Sequence, residues 1–342
     1  MAGGSFILIL AIIGLALLFD FINGMNDAAN SVATIVATRV LSPRWAVIWA
    51  AFFNFAAAFF FGVHVATTIG KGIIVSSAVT TSMILSTLLG GIIWSYLCTR
   101  LGFPISVSHS LVGGLVGSAV IESGFKALIV SGLLKIFLFI FIAPLLGLAL
   151  GYILMILLSW TVQRWPLRTI DRWFRKLQLV SAALYSLGHG TNDAQKTMGI
   201  IAMLLFSTGR LGPTFHIPLW VILSCYFAIA MGTLAGGWRV IETLGMKVVK
   251  LKPIHGFSAE TAAAAAIFFS SITGTPVSTT HTITGAIIGV GATTRFKTIR
   301  WSLAYKIVWA WILTIPGSAI LSAVIWLVIS LFSPSSSPRP NF

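Results

Sequence analysis

Two polar motifs each occur twice, in the same order, within an otherwise apolar chain. The first is NGMNDAANS at Asn23–Ser31, and its second copy is HGTNDAQKT at His189–Thr197. The other is PISVSHSLVG at Pro104–Gly113, and its second copy is PVSTTHTITG at Pro276–Gly285. A stretch of similar length separates the two motifs in both copies, so a whole half is duplicated. Repeated polar sites in an apolar chain are typical of transporters built from internal repeats.

The serine- and threonine-rich motifs have the chemistry of an anion site. Pro104 and Pro276 suit the first turn of a helix, where a missing N–H costs nothing. Hydroxyl groups and unpaired N–H groups at a helix start, together with the positive end of the helix dipole, favour oxyanions. The alternative is that the hydroxyls only cap these helices and that Lys196 only neutralises Asp193. The candidate substrate-binding residues are Ser106, Ser108, His109, Ser110, Ser278, Thr279, Thr280, His281, Thr282 and Lys196.

The Gly-x-Asn-Asp motifs have the chemistry of a cation site. A carboxylate near the bilayer centre costs about 2.5–3.5 kcal/mol, so each motif aspartate needs a partner. Oxygen ligands of this kind suit Na⁺ or a proton, and Gly24 and Gly190 are expected to break their helices there. A structural cap, or pairing with Lys196 or a histidine, is the alternative. The candidate coupling-ion residues are Asn26, Asp27, Asn30, Asn192, Asp193 and Glu260, with Asp27 and Asp193 as the metal ligands if the ion is Na⁺.

Some acidic residues have less specific patterns. Glu260 precedes a run of alanines, where a solvated carboxylate at a helix start is an equally good interpretation. The remaining ones are expected to be topology or surface residues: Asp20, Asp171, Glu122 and Glu242.

The composition indicates an integral membrane protein whose surroundings are lipid. The chain is 57% hydrophobic and only 8% charged, against about 25% charged in soluble domains. Long apolar runs recur, and the first, at 6–19, is expected to be a retained helix because no basic residues precede it. The net charge of +15 does not indicate nucleic-acid binding, because basic clusters with interleaved aromatics are lacking. Cys98 and Cys225 lie in apolar stretches, so no disulfide is expected.

Basic residues predict the orientation. Segments 38–46, 161–178, 239–255 and 293–300 hold 14 (2, 5, 4 and 3) of the 22 Lys and Arg residues. The positive-inside rule places these segments in the cytoplasm and both termini outside. Each half then crosses the membrane an odd number of times, so the halves are inverted copies.

Segments 78–121 and 258–292 are predicted to be re-entrant helical hairpins, with two ordinary spans joined by a tight turn as the alternative. The arms 258–273 and 276–292 are short for a membrane span. The predicted fold is an all-α integral membrane protein with two inverted-topology repeats, broken helices and re-entrant hairpins. Its units are an N-terminal repeat (1–160), a short cytoplasmic basic linker (161–178), a C-terminal inverted repeat (179–331) and a disordered tail (332–342).

The motifs resemble those of the inorganic phosphate transporter (PiT) family. The resemblance rests on residues 24–31, 190–199, 256–260 and 276–281, and it covers nearly the whole chain. It implies inward transport of inorganic phosphate coupled to Na⁺ or H⁺, by a multi-pass protein of the plasma (inner) membrane. It also implies a homodimer as a frequent form, and no cofactor besides the coupling ion. The long central cytoplasmic loop of animal members is absent here, since segment 161–178 is short.

Other functions fit the sequence less well. Sulfate or another oxyanion on the same fold is the alternative substrate, although distant sulfate-transporting relatives depart from the Asn-Asp motif that stands twice here. An ion channel would lack saturable, stoichiometric uptake. An enzyme is not expected, because the chain has no His-Glu-x-x-His run, no Gly-x-Gly-Asp and no nucleotide-binding loop.

Overall fold

The computed structural model describes residues 2–60, 62–294 and 299–332, and the regular structure of these residues is helical apart from one isolated bridge, Ile74–Leu128. The helices of the first half are α1 (Ala2–Ala37), α2 (Pro43–Ala56), α3 (His64–Gly72), α4 (Thr81–Leu101), α5 (Val107–Ser123) and α6 (Val130–Val162). Those of the second half are α7 (Leu167–Ser207), α8 (Leu219–Ala235), α9 (Trp238–Glu242), α10 (Pro253–Ile272), α11 (Thr279–Thr294) and α12 (Trp301–Phe332). The predicted all-α class is confirmed.

Several helices can cross a membrane. By length and composition four of the described helices qualify, namely α1 from Phe6 onward, α4, α6 and α12. Two bent pairs raise the number to six if each pair is one span. Helix α7 is not among them, because the polar motif occupies its centre and basic residues its start. The protein is therefore a multi-pass membrane protein.

Helices α1 and α7 run antiparallel past each other. Asp27 of α1 and Asp193 of α7 meet at His189. Thr34, further along α1, and Gln178, earlier on α7, both donate hydrogen bonds to Glu260. Moving forward along one helix thus means moving backward along the other, as inverted repeats require.

Equivalent contacts recur in the two halves. Equivalent positions follow from aligning the two copies of each motif, which pairs Asp27 with Asp193 and Pro104 with Pro276. Asn26 donates to Thr99 Oγ1 at 2.7 Å, and the equivalent Asn192 donates to Ser271 Oγ at 3.1 Å. The same alignment relates two further contacts, which are Asn30–Thr280 and Lys196–Ser108. These contacts support a pseudo-twofold relation between the halves.

The two halves interlock through their closing helices. Helix α6 packs against α11, and α12 packs against α5. The backbones approach closely at glycines, since a Cβ on Gly285 would lie 2.1 Å from the Pro144 carbonyl oxygen. In the other half a Cβ on Gly117 would lie 2.0 Å from the Ala319 carbonyl oxygen. Small residues of this kind let membrane helices pack backbone to backbone.

The expected breaks at the motif glycines are wrong, because α1 and α7 are continuous through Gly24 and Gly190. These glycines serve close packing instead. A Cβ on Gly24 would lie 2.1 Å from the Ile229 carbonyl oxygen, and one on Gly190 would lie 2.5 Å from that of Asn54. The bends lie elsewhere, at 66° between 219–235 and 238–245 and at 80° between 43–59 and 64–72.

The helical hairpins are formed by α4 with α5 and by α10 with α11. Gly102 and Gly274 end the first arms with φ values of 78° and 66°, which glycine adopts without strain. The starts of the second arms lie inside the protein, since Ile105, Ser106 and Ser278 are buried, whereas Phe103 and Ile272 at the turns are exposed. Both tips reach the middle of α7, where Lys196 contacts Ser108 and the Val277 carbonyl. This arrangement agrees with the predicted re-entrant hairpins.

The basic segment 161–178 is mostly helical, because only residues 163–166 separate α6 from α7. The tail expected to be disordered lies outside the described residues, apart from Phe332, which ends α12.

Candidate functional site

The two motif aspartates meet in the interior of the protein. Asp27 Oδ2 lies 3.5 Å from His189 Nε2, and Asp193 Oδ2 lies 3.1 Å from the same nitrogen. All three side chains are at most 2% exposed. One side-chain ligand atom of each of the three residues lies within 4.8 Å of the other two, so the two carboxylates are close enough to share one cation. The sequence placed both aspartates in one site, and the structure brings them together.

The orientation of His189 follows from its other neighbours. Thr233 donates its hydroxyl hydrogen to the Ile229 carbonyl at 2.9 Å, so its oxygen accepts the hydrogen bond from Asn54 Nδ2. The oxygen of the Asn54 amide therefore faces His189 Nδ1, at 3.1 Å. With oxygen atoms opposite both ring nitrogens, the geometry suits a doubly protonated imidazolium.

The second hairpin closes the aspartate pair. Thr279 donates to Asp193 Oδ2 at 2.8 Å, and Thr280 lies 3.2 Å from Asp27 Oδ1. Asn30 donates to the Thr280 hydroxyl at 2.8 Å. The start of α11 is thus tied to both motif helices through hydroxyl groups.

Lys196 joins the motif of α7 to both hairpins. Its ammonium group pairs with Asp193, donates to Ser108 Oγ at 2.5 Å and donates to the Val277 carbonyl at 2.8 Å. The sequence left open whether Lys196 neutralises an aspartate or faces the substrate. The structure shows that it pairs with Asp193 and also reaches the tips of both hairpins.

The motif asparagines present oxygen atoms without partners. Asn26 and Asn192 donate through their amide nitrogen to residues of the hairpins, as Asn30 does. Their Oδ1 atoms are buried, and among the described residues none of them has a hydrogen-bond partner. Amide oxygens of this kind, on the two helices that carry the motif aspartates, are ligands suited to a hard cation.

The other predicted substrate-binding residues contact neighbouring protein groups. The rings of His109 and His281 contact each other at 4.7 Å, and His281 stacks on Trp311 at 3.8 Å. The remaining hydroxyls bond to backbone groups of the hairpins. Ser106 accepts from the His109 N–H and Ser278 from the His281 N–H, Ser110 donates to the Gly91 carbonyl, and Thr282 donates to the Ser278 carbonyl. Ser106 and Ser278 thus cap the starts of their helices, and their role as substrate ligands stays a prediction.

Glu260 forms a separate polar cluster. It is fully buried and accepts from Thr34 at 2.5 Å, from Gln178 at 3.0 Å and from Ser181. Thr34 is seven residues beyond Asp27, about 10 Å along the helix. The structure therefore does not join Glu260 to the aspartate pair, and the solvated-carboxylate alternative is wrong because its oxygens face these donors.

The pseudo-twofold relation fails at this cluster. Extending the motif alignment along the helices relates Thr34 to Ile200, Gln178 to Ile12, Ser181 to Leu15 and Glu260 to Leu88. These four apolar side chains belong to, or pack against, one hydrophobic core. Within the described part of the chain, the positions equivalent to the Glu260 cluster on the other side of the central site are thus apolar.

Two buried residues were missed at the level of sequence. His189 opens the second copy of the Asn-Asp motif, and that position was the signal available. Asp20 was expected to be a topology or surface residue, but it is 0% exposed. That expectation is wrong because the polar positions of α1 form one buried stripe, Asp20, Asn23, Asp27, Asn30 and Thr34, at helical spacing.

The sequence matches the profile of a known protein family over most of its length. Residues 23–322 match the sequence profile of the phosphate transporter family. The chain belongs to the phosphate transporter family. This match includes both aspartate motifs and both hairpin tips.

Named relatives of this family member are transporters rather than enzymes. A probable low-affinity inorganic phosphate transporter of Rhizobium meliloti (strain 1021) is 52% identical over 96% of this chain and 98% of its own length. A relative of the same description from Bacillus subtilis (strain 168) is 40% identical over 95% of this chain and 98% of its own length. A solved structure titled "The sodium-dependent phosphate transporter" superimposes with a TM-score of 0.87 at 26% identity, over 95% of this chain and 100% of that one.

Proposed function

We propose that this protein is a symporter that moves inorganic phosphate inward together with a cation, Na⁺ in preference to H⁺. The observation that carries the proposal is the buried cluster of Asp27, His189, Asp193 and Lys196, closed by the tips of both hairpins. Its geometry offers cation ligands and anion donors side by side.

Charge balance supplies the coupling. The cluster holds two carboxylates, one ammonium group and one imidazole. With His189 protonated these formal charges cancel, so an added phosphate would leave uncompensated negative charge in a buried site. Buried charges are tolerated only when they are paired. Phosphate and cation should therefore bind together, and neither should move efficiently alone.

The phosphate position lies where donors converge. Lys196 and the Ser108 hydroxyl lie at the starts of the hairpin second arms, where N–H groups and the positive ends of two helix dipoles favour an oxyanion. The cation position lies beside it, among the carboxylates and the free Oδ1 atoms of Asn26, Asn30 and Asn192. This separation supports the predicted division into substrate and coupling-ion residues.

Two observations support Na⁺ over a proton. The solved relative is titled as sodium-dependent. The amide oxygens of the motif asparagines, which have no partner among the described residues, are hard ligands that suit a metal ion.

The orientation and assembly belong to the same proposal. We infer an N-terminal repeat at 1–160, the basic segment 161–178 in the cytoplasm, and an inverted repeat at 179–331. Both termini then face outward across the plasma membrane. A homodimer is proposed on family resemblance.

The test is phosphate uptake into proteoliposomes with Na⁺ and pH gradients imposed separately. Uptake driven by an inward Na⁺ gradient at equal pH, and accompanied by measurable ²²Na⁺ entry, is the expected result. Uptake that follows only the pH gradient would assign the coupling to H⁺. Uptake that needs neither gradient would contradict symport.

Anion selectivity is tested in the same vesicles. Unlabelled phosphate should compete with labelled phosphate, and sulfate should not. Equal competition by sulfate would replace phosphate by the broader oxyanion alternative.

A further inference from the structure

The carboxylate of Asp20 lies in the interior without a hydrogen bond. The residue is 0% exposed, and neither carboxylate oxygen has a hydrogen-bond partner among the described residues. A buried carboxylate ordinarily accepts several hydrogen bonds or pairs with a cation. Glu260, by comparison, accepts from three side chains. Asp20 therefore lacks the partners that a structural carboxylate requires.

The polar neighbours of Asp20 are also unsatisfied. Asn23, one turn along α1, and Thr197 on α7 lie beside the carboxylate. Asn23 Oδ1 and Thr197 Oγ1 are both buried, and within the described part of the chain neither has a hydrogen-bond partner. The Thr197 oxygen is unusual, because a helical hydroxyl commonly bonds back to the preceding turn. Two carboxylate oxygens, one amide oxygen and one hydroxyl oxygen are thus buried near one another without a hydrogen-bond partner among the described residues.

This position is distinct from the central site. Asp20 precedes Asp27 by seven residues, about 10 Å along α1, on the same helix face. The Glu260 cluster lies about the same distance beyond Asp27 in the opposite direction. Asp20 and Glu260 therefore mark the two ends of the polar stripe on α1, with the aspartate pair between them.

The internal symmetry does not explain the site. The motif alignment relates Asp20 to Ser186, whose hydroxyl donates to the Ala182 carbonyl of its own helix at 2.8 Å. The equivalent position is therefore satisfied and uncharged. Asp20 is a feature of the first half alone.

We propose that Asp20, Asn23 and Thr197 form a second Na⁺ site, on the side of the central site opposite Glu260. Two carboxylate oxygens, one amide oxygen and one hydroxyl oxygen form a hard, singly charged donor set that suits a monovalent cation. A Na⁺ ion there neutralises the carboxylate and is coordinated by all four unpaired oxygens. The site provides a stopping point for the coupling ion on its way along the stripe of α1, and this role rests on the proposed function.

The test measures binding directly, without transport. Equilibrium binding of ²²Na⁺ to the purified full-length protein in detergent is compared between wild type, Asp20→Asn and Thr197→Val. Asp20→Asn should bind one Na⁺ fewer per chain, and Thr197→Val should weaken that ion by about tenfold, the scale of losing one contact in a metal site. The control is Ser186→Ala, which should bind Na⁺ as wild type does.

Thermal unfolding shows whether a loss of Na⁺ binding in Asp20→Asn comes from a folding defect. Asn fills the same volume without a buried charge, so Asp20→Asn should unfold at or above the wild-type temperature in Na⁺-free buffer. Added Na⁺ should then stabilise it less than wild type, because one site that binds only the folded state is lost.

Two results would overturn the site. Unchanged Na⁺ number and affinity in Asp20→Asn would show that the carboxylate holds no cation. Unchanged Na⁺ binding with an altered pH dependence of uptake would make Asp20 a proton carrier instead. Failure of the symport proposal is separate, because it would appear as gradient-independent uptake by the wild-type protein while Na⁺ binding at Asp20 persisted.

Discussion

The two aspartates at the centre have different partners although their motifs are copies. Asp193 pairs with Lys196 and lies next to His189, whereas among the described residues Asp27 contacts His189 and the threonine hydroxyls of α11. The difference arises because Lys196 stands where the first copy has Asn30. Equivalent substitutions should therefore have the same effect on transport and different effects on stability.

Asp27→Asn and Asp193→Asn should both abolish cation-coupled phosphate uptake, because each removes a negative charge from the cation position. Asp27→Asn should remain nearly as stable as wild type. Asp193→Asn should lose about 3–5 kcal/mol, because it leaves the Lys196 charge buried without its partner. Proteoliposome uptake and thermal unfolding in detergent measure the two effects. Adding Lys196→Met to Asp193→Asn should restore most of the stability without restoring uptake, and equal stability of the two single variants would contradict this account.

Thr280→Val tests the contact between the second hairpin and the central site. The substitution keeps the shape of the side chain and removes the hydroxyl that contacts Asp27, Asn30 and the Ile105 carbonyl. A hydrogen bond to a charged group is worth about 1.5–3 kcal/mol, so the apparent cation affinity should fall about tenfold to a hundredfold. The matched control is Thr282→Val on the same helix, whose hydroxyl bonds only to the Ser278 carbonyl. Similar losses in both variants would show that the effect comes from helix packing.

At this scale the sequence predicted the central residues better than their partners. The duplication identified Asp27, Asp193, Lys196 and the hairpin threonines, because residues related by a pseudo-twofold axis at the centre must meet. It could not show that His109 and His281 turn toward each other and Trp311, since that depends on how the hairpins pack against α12. Asp20 was missed although its spacing from Asn23 and Asp27 places it on the same face of α1 as the motif residues.

Among the helices, the closing ones hold the halves together. Helix α6 of the first half packs on α11 of the second, and α12 packs on α5, through backbone contacts at glycines. Pro144 and Pro316, which occupy equivalent positions in the two halves, lie within these two long helices. Each hairpin is therefore supported by a helix from the other half.

Gly285→Ala should destabilise the protein. The added Cβ would lie 2.1 Å from the Pro144 carbonyl oxygen, so α6 and α11 must move apart. Overpacking of this kind costs about 1–3 kcal/mol, and the displaced hairpin should lower phosphate uptake. The control is Gly14→Ala, where no atom lies within 4 Å of the new Cβ. This control should be unchanged or slightly stabilised, and thermal unfolding separates the two variants; equal behaviour would argue against close packing at Gly285.

The helix positions were largely predictable, because apolar runs of membrane length and paired prolines mark them in the sequence. The continuity of α1 and α7 through their motif glycines was not predictable. A glycine beside a polar motif suits a helix break as well as a close helix crossing, and only the presence of α8 against Gly24 and of α2 against Gly190 decides between these. Local sequence contains no information about a neighbouring backbone.

Over the whole molecule, the distribution of positive charge predicts an orientation. Position 172 lies near the start of α7, whereas positions 71 and 210 lie at the far ends of α3 and α7, and all three side chains are exposed. The native Cys98 and Cys225 are free and buried, so they interfere little with labelling.

Single cysteines at these positions test the orientation. A membrane-impermeant thiol reagent should label Lys71→Cys and Arg210→Cys from outside intact cells, and Arg172→Cys only after the membrane is opened. The parent protein with its native cysteines is the control. Labelling of position 172 from outside, with position 71 protected, would reverse the proposed orientation.

The polar cluster around Glu260 on one side of the centre, with Ile12, Leu15, Leu88 and Ile200 on the other, has a thermodynamic consequence. A carrier accelerates movement in both directions and cannot change the final ratio of solute, which the gradients alone determine. The different surroundings on the two sides of the central site can change only how readily phosphate binds from each side of the membrane. They do so through different stabilities of the outward-open and inward-open states. We therefore expect efflux and influx in oriented vesicles to half-saturate at different phosphate concentrations, with maximal rates that compensate so that no net flow occurs at equilibrium.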